Sequence, residues 1–441
     1  MKQPILTTAD LYMGPIGLMV AIVLCYYLVM RSLSSKGEKD ILWISFGIKA
    51  VMVVLSALMY QYYYAYGDTF RYYQCATELN RILYSDPSTW LQIAITPPSE
   101  YSLELRQVTE FRYYRSFTTR WVNIVYSVLL IPGAHSYLWL AFLSQVMVFI
   151  GLKQMSDFAI KFFADRKLLL RGIFFLVPSL LFWSSGVMKE PIVLWSLGGI
   201  FYLLSHRLRS VVGWIWLGVS CFLLLHLKAY ILASMITAGA ITLLLRRESR
   251  KHIYRWGIPF LLFVIVLYRE GGAQIQRYLS IRFLESRLID LQDSQILHTD
   301  LASGSGYSIE QFTISDPVQM ILSSLSALHY SALRPYVWEA KKAINLLAVF
   351  ENSLFVALVV YLIVQARKIK LTVRQSEFMV FATVWTVLLF VIVGLTSFNY
   401  GTLSRYRIIC LPYFVMILML PLLGDKHSRT GRALPHMTSQ K

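Results

Sequence analysis

Residues 174–205, FFLVPSLLFWSSGVMKEPIVLWSLGGIFYLLS, form a long apolar stretch that a short polar segment interrupts. The interruption is SSG at 184–186, and Lys189, Glu190 and Pro191 follow it closely. A charged side chain deep in a bilayer is costly, so such residues usually face a protein interior or a wet cavity. Proline lacks a backbone donor and disfavours helix at the preceding residue. The stretch therefore predicts two helices meeting at a polar break, with Lys189 and Glu190 at the mouth of a cavity near the membrane surface. The alternative is a tight turn with one surface ion pair.

The composition of the whole chain is that of a membrane protein. Of its 441 residues, 56% are hydrophobic and only 15% are charged, and the mean hydropathy is +0.55. A soluble domain carries about 25% charged residues. We therefore expect an all-α, polytopic helical bundle in which residues 1–441 form a single integral membrane domain. The four cysteines are spaced neither as a disulfide framework nor as metal ligands, so we expect no metal site and no cofactor.

Apolar runs long enough to count as spans recur along the chain and predict about eleven transmembrane segments. The run 121–152 is too long for one straight helix, and the sequence Pro132-Gly133 breaks it. The predicted spans are 11–30, 41–62, 121–152, 168–183, 191–204, 211–226, 231–245, 256–268, 344–364, 378–396 and 408–423.

The basic residues indicate the orientation of these spans. The formal net charge is +18, and Lys and Arg crowd into short loops at 31–39, 153–171, 246–255 and 367–374. Cytoplasmic loops carry this excess, so we expect all four loops to lie in the cytoplasm if the run 121–152 crosses once in net terms. A charge of +18 on a soluble protein would suggest nucleic acid, but this chain has no basic patch with interleaved aromatic residues on a soluble domain. We therefore expect no nucleic-acid partner.

Two long segments remain for the outer face, 63–120 and 269–342, and in both of them acids balance bases. Apolar residues recur at helical spacing in 71–85 and in 282–297, which predicts short lateral amphipathic helices suited to the membrane surface. Asp316-Pro317 is an N-cap and N1 pair that predicts the start of a further helix.

The first candidate site residue is Asp68, where the chain leaves the second span in the sequence GDTFRYY at 67–73. A carboxylate there could act as a general base. The alternative is that Asp68 only caps the helix containing Arg71. With Asp68 we name Lys189 and Glu190 as candidate catalytic residues.

Cations at the outer boundary run against the positive-inside bias and predict a phosphate or pyrophosphate site. Arg suits bidentate phosphate contacts, and Lys supplies a compact charge. The alternative is snorkelling at the membrane surface. Arg405 and Arg407 can converge on one group only if 404–407 is non-helical, or if each meets a different part of a large head group. Inside the spans, Lys49 and Glu351 are expected to pair. The candidate phosphate-binding or substrate-binding residues are Arg71, Lys228, Arg334, Glu339, Arg405 and Arg407.

Four stretches resemble multi-spanning proteins of bacterial envelope-polysaccharide loci. They are GDTFRYY at 67–73, FWSSGVMKEP at 182–191, RPYVWEAKKAINLLAVFEN at 334–352 and FNYGTLSRYRIICLPYF at 398–414. The last stretch is similar to the Arg-Tyr-Arg segment before a late span in GT-C-type glycosyltransferases. The first resembles an acidic motif in the first outer loop of such enzymes and of oligosaccharide polymerases.

The resemblance implies a glycosyltransferase or polysaccharide polymerase in the bacterial inner membrane, with a polyprenyl-(pyro)phosphate-linked sugar as donor on the outer face. Asp68 would be the acceptor base, and Arg405 and Arg407 would be phosphate ligands. The implied partners are the lipid bilayer, the lipid-linked saccharide and other membrane proteins of envelope biosynthesis. Two alternatives stay open, a transporter or flippase of polysaccharide or lipid-linked oligosaccharide, and a non-catalytic membrane scaffold.

Overall fold

The regular elements of this protein are helical throughout the part of the chain that the structure describes, with no β-strand in those residues. This agrees with the all-α prediction. The computed structural model describes residues 6–64, 67–96, 101, 117–131, 135–205, 211–245, 316–340, 345–397 and 399–424. The predicted basic loop 246–255, the predicted helix 282–297 and most of the second outer segment 269–342 lie outside these residues.

The α-helices of the described residues are labelled here in chain order. Short π-helical segments, Tyr26–Met30 and Met59–Tyr64, continue the first two of them. The helices are α1 (Thr8–Cys25), α2 (Lys36–Leu58), α3 (Asp68–Ser85), α4 (Pro87–Ile95), α5 (Phe117–Leu129), α6 (Tyr137–Ile160), α7 (Lys167–Phe175), α8 (Pro178–Trp183), α9 (Lys189–Ser205), α10 (Val211–Leu245), α11 (Pro317–Leu333), α12 (Asn345–Gln365), α13 (Val373–Thr396), α14 (Tyr400–Arg407), α15 (Leu411–Leu418) and α16 (Leu420–Leu423).

Six helical segments among the described residues are long and apolar enough to cross a membrane. The prediction of about eleven spans is not confirmed. The predicted span 168–183, for example, is divided into α7 and α8, because Val177 is extended before Pro178. The six segments are Thr8–Met30, Lys36–Tyr64, Tyr137–Ile160, Val211–Leu245, Leu346–Lys368 and Val373–Thr396.

The outward faces of these helices are apolar, as a lipid-facing surface requires. Leu11, Ile44, Val51 and Val360 are all more than half exposed. Such large exposed apolar faces are uncommon on soluble monomers. They support the membrane class that the composition predicts.

Close helix packing in the interior depends on glycine. Where α6 crosses α9, a Cβ added to Gly198 would stand 2.6 Å from the Cα of Gly151. Helices in membranes use small residues in this way to bring their backbones together. The contact fixes α9, and therefore the residues at its start, against the centre of the bundle.

Three of the four predicted basic loops meet at one end of the bundle, which we call the basic end. The buried Arg171 reaches Glu38 at 3.0 Å and Asp157 at 2.5 Å, so it joins the first loop to the second. Gln375 donates to the backbone oxygen of Phe162 at 3.1 Å and joins the second loop to the loop before α13. The shared position of these three loops agrees with the charge pattern of the sequence.

The helix predicted over 71–85 is present as part of α3, but its apolar face is not turned to the membrane surface. Cys75 and Leu79 are buried in a small cluster with Ile93 of α4 and Ile124 of α5. The neighbouring helices therefore cover the face that the amphipathic pattern assigned to lipid. The predicted helix start at Asp316 is confirmed, since its carboxylate accepts from the backbone of Val318 at 2.9 Å.

Candidate functional site

The predicted break after 174–183 is confirmed, and it presents two charges at the start of a helix. α8 ends at Trp183 and α9 begins at Lys189. Glu190 is helical, contrary to the expectation from Pro191, because proline is tolerated in the first turn of a helix. Lys189 and Glu190 therefore sit in the first turn of α9.

Five of the predicted site residues come together beside this turn, and we call them the ionic cluster: Asp68, Lys189, Glu190, Lys228 and Arg405. Arg405 Nη1 donates to Asp68 Oδ2 at 3.2 Å. Lys228 Nζ donates to Glu190 Oε1 at 3.2 Å, and Arg405 Nε lies 3.6 Å from the same oxygen. Lys189 lines the same small cavity as Asp68, Glu190 and Arg405. Four segments that are distant in the sequence thus supply one charged site.

Lys228 reaches the cluster from a break in α10. The sequence predicts two spans, 211–226 and 231–245, and the 35 residues Val211–Leu245 form two helical parts that meet at a kink with non-helical dihedral angles at Lys228 (φ −153°, ψ 69°). A straight helix of that length would measure about 52 Å, whereas the hydrocarbon core is about 30 Å thick. The break places the ammonium group against Glu190 and leaves 94% of the Lys228 side chain buried.

Tyr406 lies beside both of the more buried cations. Lys228 Nζ is 4.1 Å from the centre of its ring, and the guanidinium carbon of Arg405 is 5.1 Å from it. Arg405 Nη2 also donates to the Tyr406 hydroxyl at 3.3 Å. The aromatic face stabilises positive charge in a site that is largely removed from water.

The charges of the cluster alter one another's protonation. Burial, assisted by the nearby Lys228, lowers the pKa of Lys189 to about 8. Burial by itself would raise the pKa of Glu190, but Lys228 and Arg405 hold it below its usual value. With Lys189 protonated, three cations and two carboxylates give a formal charge of 3 − 2 = +1. The site therefore favours an added anion.

The cavity in the cluster has a volume of about 50 Å³. Pockets for drug-sized ligands measure about 300–1,000 Å³, so this one has room for a small group such as a phosphoryl group and none for a whole sugar. The side chain of Asp68 is 38% exposed, whereas that of Glu190 is 2% exposed. An incoming molecule can thus reach Asp68 more easily than Glu190. The lining residues are Asp68, Tyr72, Met188, Lys189, Glu190, Arg405 and Tyr406.

Asp68 does not cap α3, so the capping alternative is wrong. The N-cap position belongs to Gly67, and Asp68 is the first residue of the helix. A carboxylate in the first turn is favoured by the helix dipole. Its oxygen is directed to Arg405, which joins α3 to α14.

Lys49 holds one side of the segment 184–188 between α8 and α9. The sequence predicts that Lys49 pairs with Glu351 instead. Lys49 is 1% exposed. Its ammonium donates to Ser184 Oγ at 2.6 Å, to the Leu181 oxygen at 3.2 Å and to Ser185 Oγ at 3.4 Å. The predicted pair of Lys49 with Glu351 is therefore wrong. A basic group here also satisfies a carbonyl at the C-terminal end of α8.

Side chains from α5 and α6 hold the same peptide on its other side. Gln145 Nε2 donates to the Ser185 oxygen at 3.2 Å, and the Tyr126 hydroxyl donates to the Met188 oxygen at 2.5 Å. The Tyr137 hydroxyl is 2.8 Å from Thr69 Oγ1, directly after Asp68. Sequence reasoning missed these three residues. The only sequence feature that pointed to them was a polar group inside an apolar run.

Arg407 lies in a second, fully buried group. Its side chain is 0% exposed, and its guanidinium donates to Asn352 Oδ1 at 2.7 Å and to Glu351 Oε1 at 3.4 Å. Glu351 also accepts from the backbone nitrogen and the hydroxyl of Ser179, both at 2.6 Å. These contacts tie α12, α14 and α8 together. Arg405 and Arg407 therefore do not converge on one group.

Arg334 and Glu339 form a third group near the start of α14. They contact each other, and Arg334 donates to the Tyr400 hydroxyl at 3.0 Å. Since Tyr400 begins α14, this group lies at the opposite end of that helix from Arg405. Arg71, a partly buried residue of α3, is not among the residues that line the cavity.

Comparisons with protein-family models, with curated proteins and with solved structures find no match to this chain.

Proposed function

We propose that this protein is an integral membrane glycosyltransferase or polysaccharide polymerase that uses a polyprenyl-(pyro)phosphate-linked sugar on the outer face of the bacterial cytoplasmic membrane. The observation that carries the proposal is the convergence of Asp68, Lys189, Glu190 and Arg405 on one cavity, with Lys228 bound to Glu190. The site combines an accessible carboxylate with several cations beside apolar helices. A lipid phosphate that bears a sugar requires the same combination.

In the proposed reaction, Asp68 accepts the proton of an acceptor hydroxyl group. The hydroxyl oxygen forms a bond to the anomeric carbon of the donor sugar, and the bond from that carbon to the phosphate oxygen breaks. The polyprenyl (pyro)phosphate leaves with the electron pair, and Arg405 and Lys189 stabilise its negative charge. Glu190 keeps Lys228 and Arg405 in place.

The test uses purified protein in nanodiscs and lipid-linked saccharides extracted from the native cells. We expect the wild type to convert them, and Asp68→Asn to bind undecaprenyl phosphate at least as tightly as the wild type but to transfer no sugar. Transfer by Asp68→Asn at the wild-type rate would remove Asp68 as the base. If the wild type neither converts these saccharides nor binds undecaprenyl phosphate, the proposed function is wrong.

One observation favours a second candidate, a transporter of lipid-linked or polymeric saccharide. α10 is interrupted at a buried lysine, and interrupted helices form the substrate sites of many transporters. Uptake of a labelled saccharide into vesicles that depends on a counter-ion would favour this candidate. Conversion of the saccharide without such a gradient would favour the transferase.

The proposed orientation places the ionic cluster outside and the basic end in the cytoplasm. In a background without the four native cysteines, we expect a membrane-impermeant thiol reagent to label Ser85→Cys in α3 from the periplasmic side. It should not label Lys161→Cys at the basic end. The opposite labelling pattern would reverse the orientation.

A further inference from the structure

An apolar groove lies between α13 and the pair α15–α16, in the half of α13 that adjoins the basic end. Its volume is about 310 Å³. The residues that line it include Met379, Val380, Thr383, Ile417 and Leu420. Unfilled apolar space is unfavourable because the lining atoms lose their van der Waals partners. In a bilayer, a hydrocarbon chain is the natural occupant of such a groove.

The groove lies beside a break between α15 and α16. Met419 lies between α15 and α16 with φ −90° and ψ 12°, and Pro421 follows in the first turn of α16. Proline has no backbone donor with which to continue α15. Because the chain is broken at Met419, α15 and α16 do not pack against α13 as one continuous helix. α13 itself is helical from Val373 to Thr396.

Cations stand at the end of the groove that adjoins the basic end. A Cβ added to Gly424 would lie 3.1 Å from the Lys370 oxygen and 3.8 Å from the Leu420 oxygen, so Lys370 adjoins the end of α16. Arg374 lies in the first turn of α13, on a side of the helix nearly opposite to Ser376 of the groove lining, and adds its charge to the same end of the groove. The side chains of Lys370 and Arg374 are exposed.

The charge of this region is strongly positive. Over residues 367–377 there are four cations and one acid, Glu377, for a formal charge of 4 − 1 = +3. Basic residues beside transmembrane helices attract the anionic lipids of the cytoplasmic leaflet. The groove fits an apolar chain, and the adjoining residues fit an anionic head group.

We propose that this groove is a binding site for an anionic phospholipid, with one acyl chain between α13 and α15–α16, the phosphate held by Lys370, and the nearby charge of Arg374 adding to the attraction. The site is independent of the proposed sugar transfer. It lies at the opposite end of α13 from α14, which carries Arg405 of the ionic cluster.

The test compares retention of two lipids with the same acyl chains by native mass spectrometry of the purified full-length protein. The probes are palmitoyl-oleoyl phosphatidylglycerol, which is anionic, and palmitoyl-oleoyl phosphatidylcholine, which has no net charge. We expect the wild type to retain the anionic lipid selectively. The double variant Lys370→Gln/Arg374→Gln should lower its apparent affinity by about tenfold or more, because each cation near a membrane surface adds measurably to anionic lipid binding.

Three further variants separate binding in the groove from general attraction to the surface. Thr383→Trp places a bulky side chain in the groove and should lower retention of the anionic lipid. Ile363→Trp adds the same bulk on the exposed face of α12 and should not lower it. Arg31→Gln/Lys36→Gln removes two exposed cations from the first basic loop and should leave retention near the wild-type value. Melting temperatures of all variants check that each one folds.

Equal retention of the two lipids by the wild type would overturn the proposal. Equal losses in Arg31→Gln/Lys36→Gln and in Lys370→Gln/Arg374→Gln would also overturn it, because attraction would then be general to the basic end. If no lipid is retained and Thr383→Trp instead changes the oligomeric state, a second copy of the chain occupies the groove.

Discussion

Arg405 and Arg407 are two residues apart on α14, and their guanidinium groups serve different parts of the molecule. Arg405 donates to Asp68 at 3.2 Å, in the ionic cluster, whereas Arg407 donates to Asn352 at 2.7 Å, inside the bundle. Successive residues of an α-helix are turned by about 100°, so positions two apart face nearly opposite sides. The two arginines therefore have different expected consequences when they are replaced.

Arg405→Lys should weaken binding of undecaprenyl phosphate by about 1–3 kcal/mol, the range for a hydrogen bond to a charged group. Lysine keeps the positive charge but loses the planar fork that contacts two acceptors at once. Titration of purified protein in nanodiscs measures the loss. An unchanged affinity would mean that Arg405 serves as an internal ion-pair partner and not as a phosphate ligand.

Arg407→Met should destabilise the protein by about 3–5 kcal/mol, because removing one member of a buried ion pair leaves the other charge uncompensated. The uncompensated group would be Glu351, whose side chain is 1% exposed. The melting temperature should fall clearly, and Arg407→Met/Glu351→Gln should recover part of the loss. If the single variant melts like the wild type, the buried pair does not stabilise the bundle.

Lys189 should make phosphate binding depend on pH. With a pKa of about 8 it is mostly protonated at neutral pH and mostly neutral at pH 9. Affinity for undecaprenyl phosphate should therefore fall as pH rises from 7 to 9, since a cation is lost from the site. In Lys189→Arg the group stays protonated and the fall should disappear, and Lys189→Met should be weak throughout this range. A fall of the same size in all three proteins would assign the effect to another group.

Lys49→Met should weaken binding at the ionic cluster while leaving the melting temperature unchanged or higher. A buried charge is costly to remove from water, and an apolar side chain of similar length removes that cost. The segment that leads to Lys189 and Glu190 would lose two hydrogen bonds, however, and the end of α8 would lose a third. Faster hydrogen exchange of residues 184–190 would show the loosening directly.

Ser184→Ala provides a matched comparison for Lys49→Met. If Lys49 acts by holding Ser184, the effects of the two changes on binding should not add in the double variant. Additive effects would mean that Lys49 does not act through this serine. Normal binding and exchange in Lys49→Met would contradict a positioning role.

Gly198→Ala should lower stability by about 1–3 kcal/mol, the cost of overpacking a tight contact. The added methyl group would stand 2.6 Å from the Cα of Gly151, which cannot move away as a side chain can. Gly218→Ala is the control, because a Cβ there meets nothing within 4 Å. Equal melting temperatures for the two variants would indicate that α6 and α9 separate without cost.

The sequence by itself determined the class of the protein and several local features. Apolar runs predict helices because only a helix or a closed barrel satisfies the backbone inside a bilayer. The break before Lys189 and the helix cap at Asp316 could also be predicted from the sequence. Both depend on interactions within a few residues: the conformational limits of proline in the first case, and the hydrogen bonds of the Asp side chain in the second. The charge pattern predicted that the basic loops share one end, and three of them do so.

Only the tertiary structure decided which charges meet. Lys49, Glu351, Arg405 and Arg407 all stand in or beside apolar segments, and the sequence offered no means of pairing them correctly. The partner of a buried charge is set by helix packing and by the rotation of each helix about its axis. These depend on contacts between residues far apart in the chain, such as Gly151 with Gly198. For that reason Asp68 and Arg405, 337 positions apart, form one site, whereas Arg407, two residues further on, belongs to the interior.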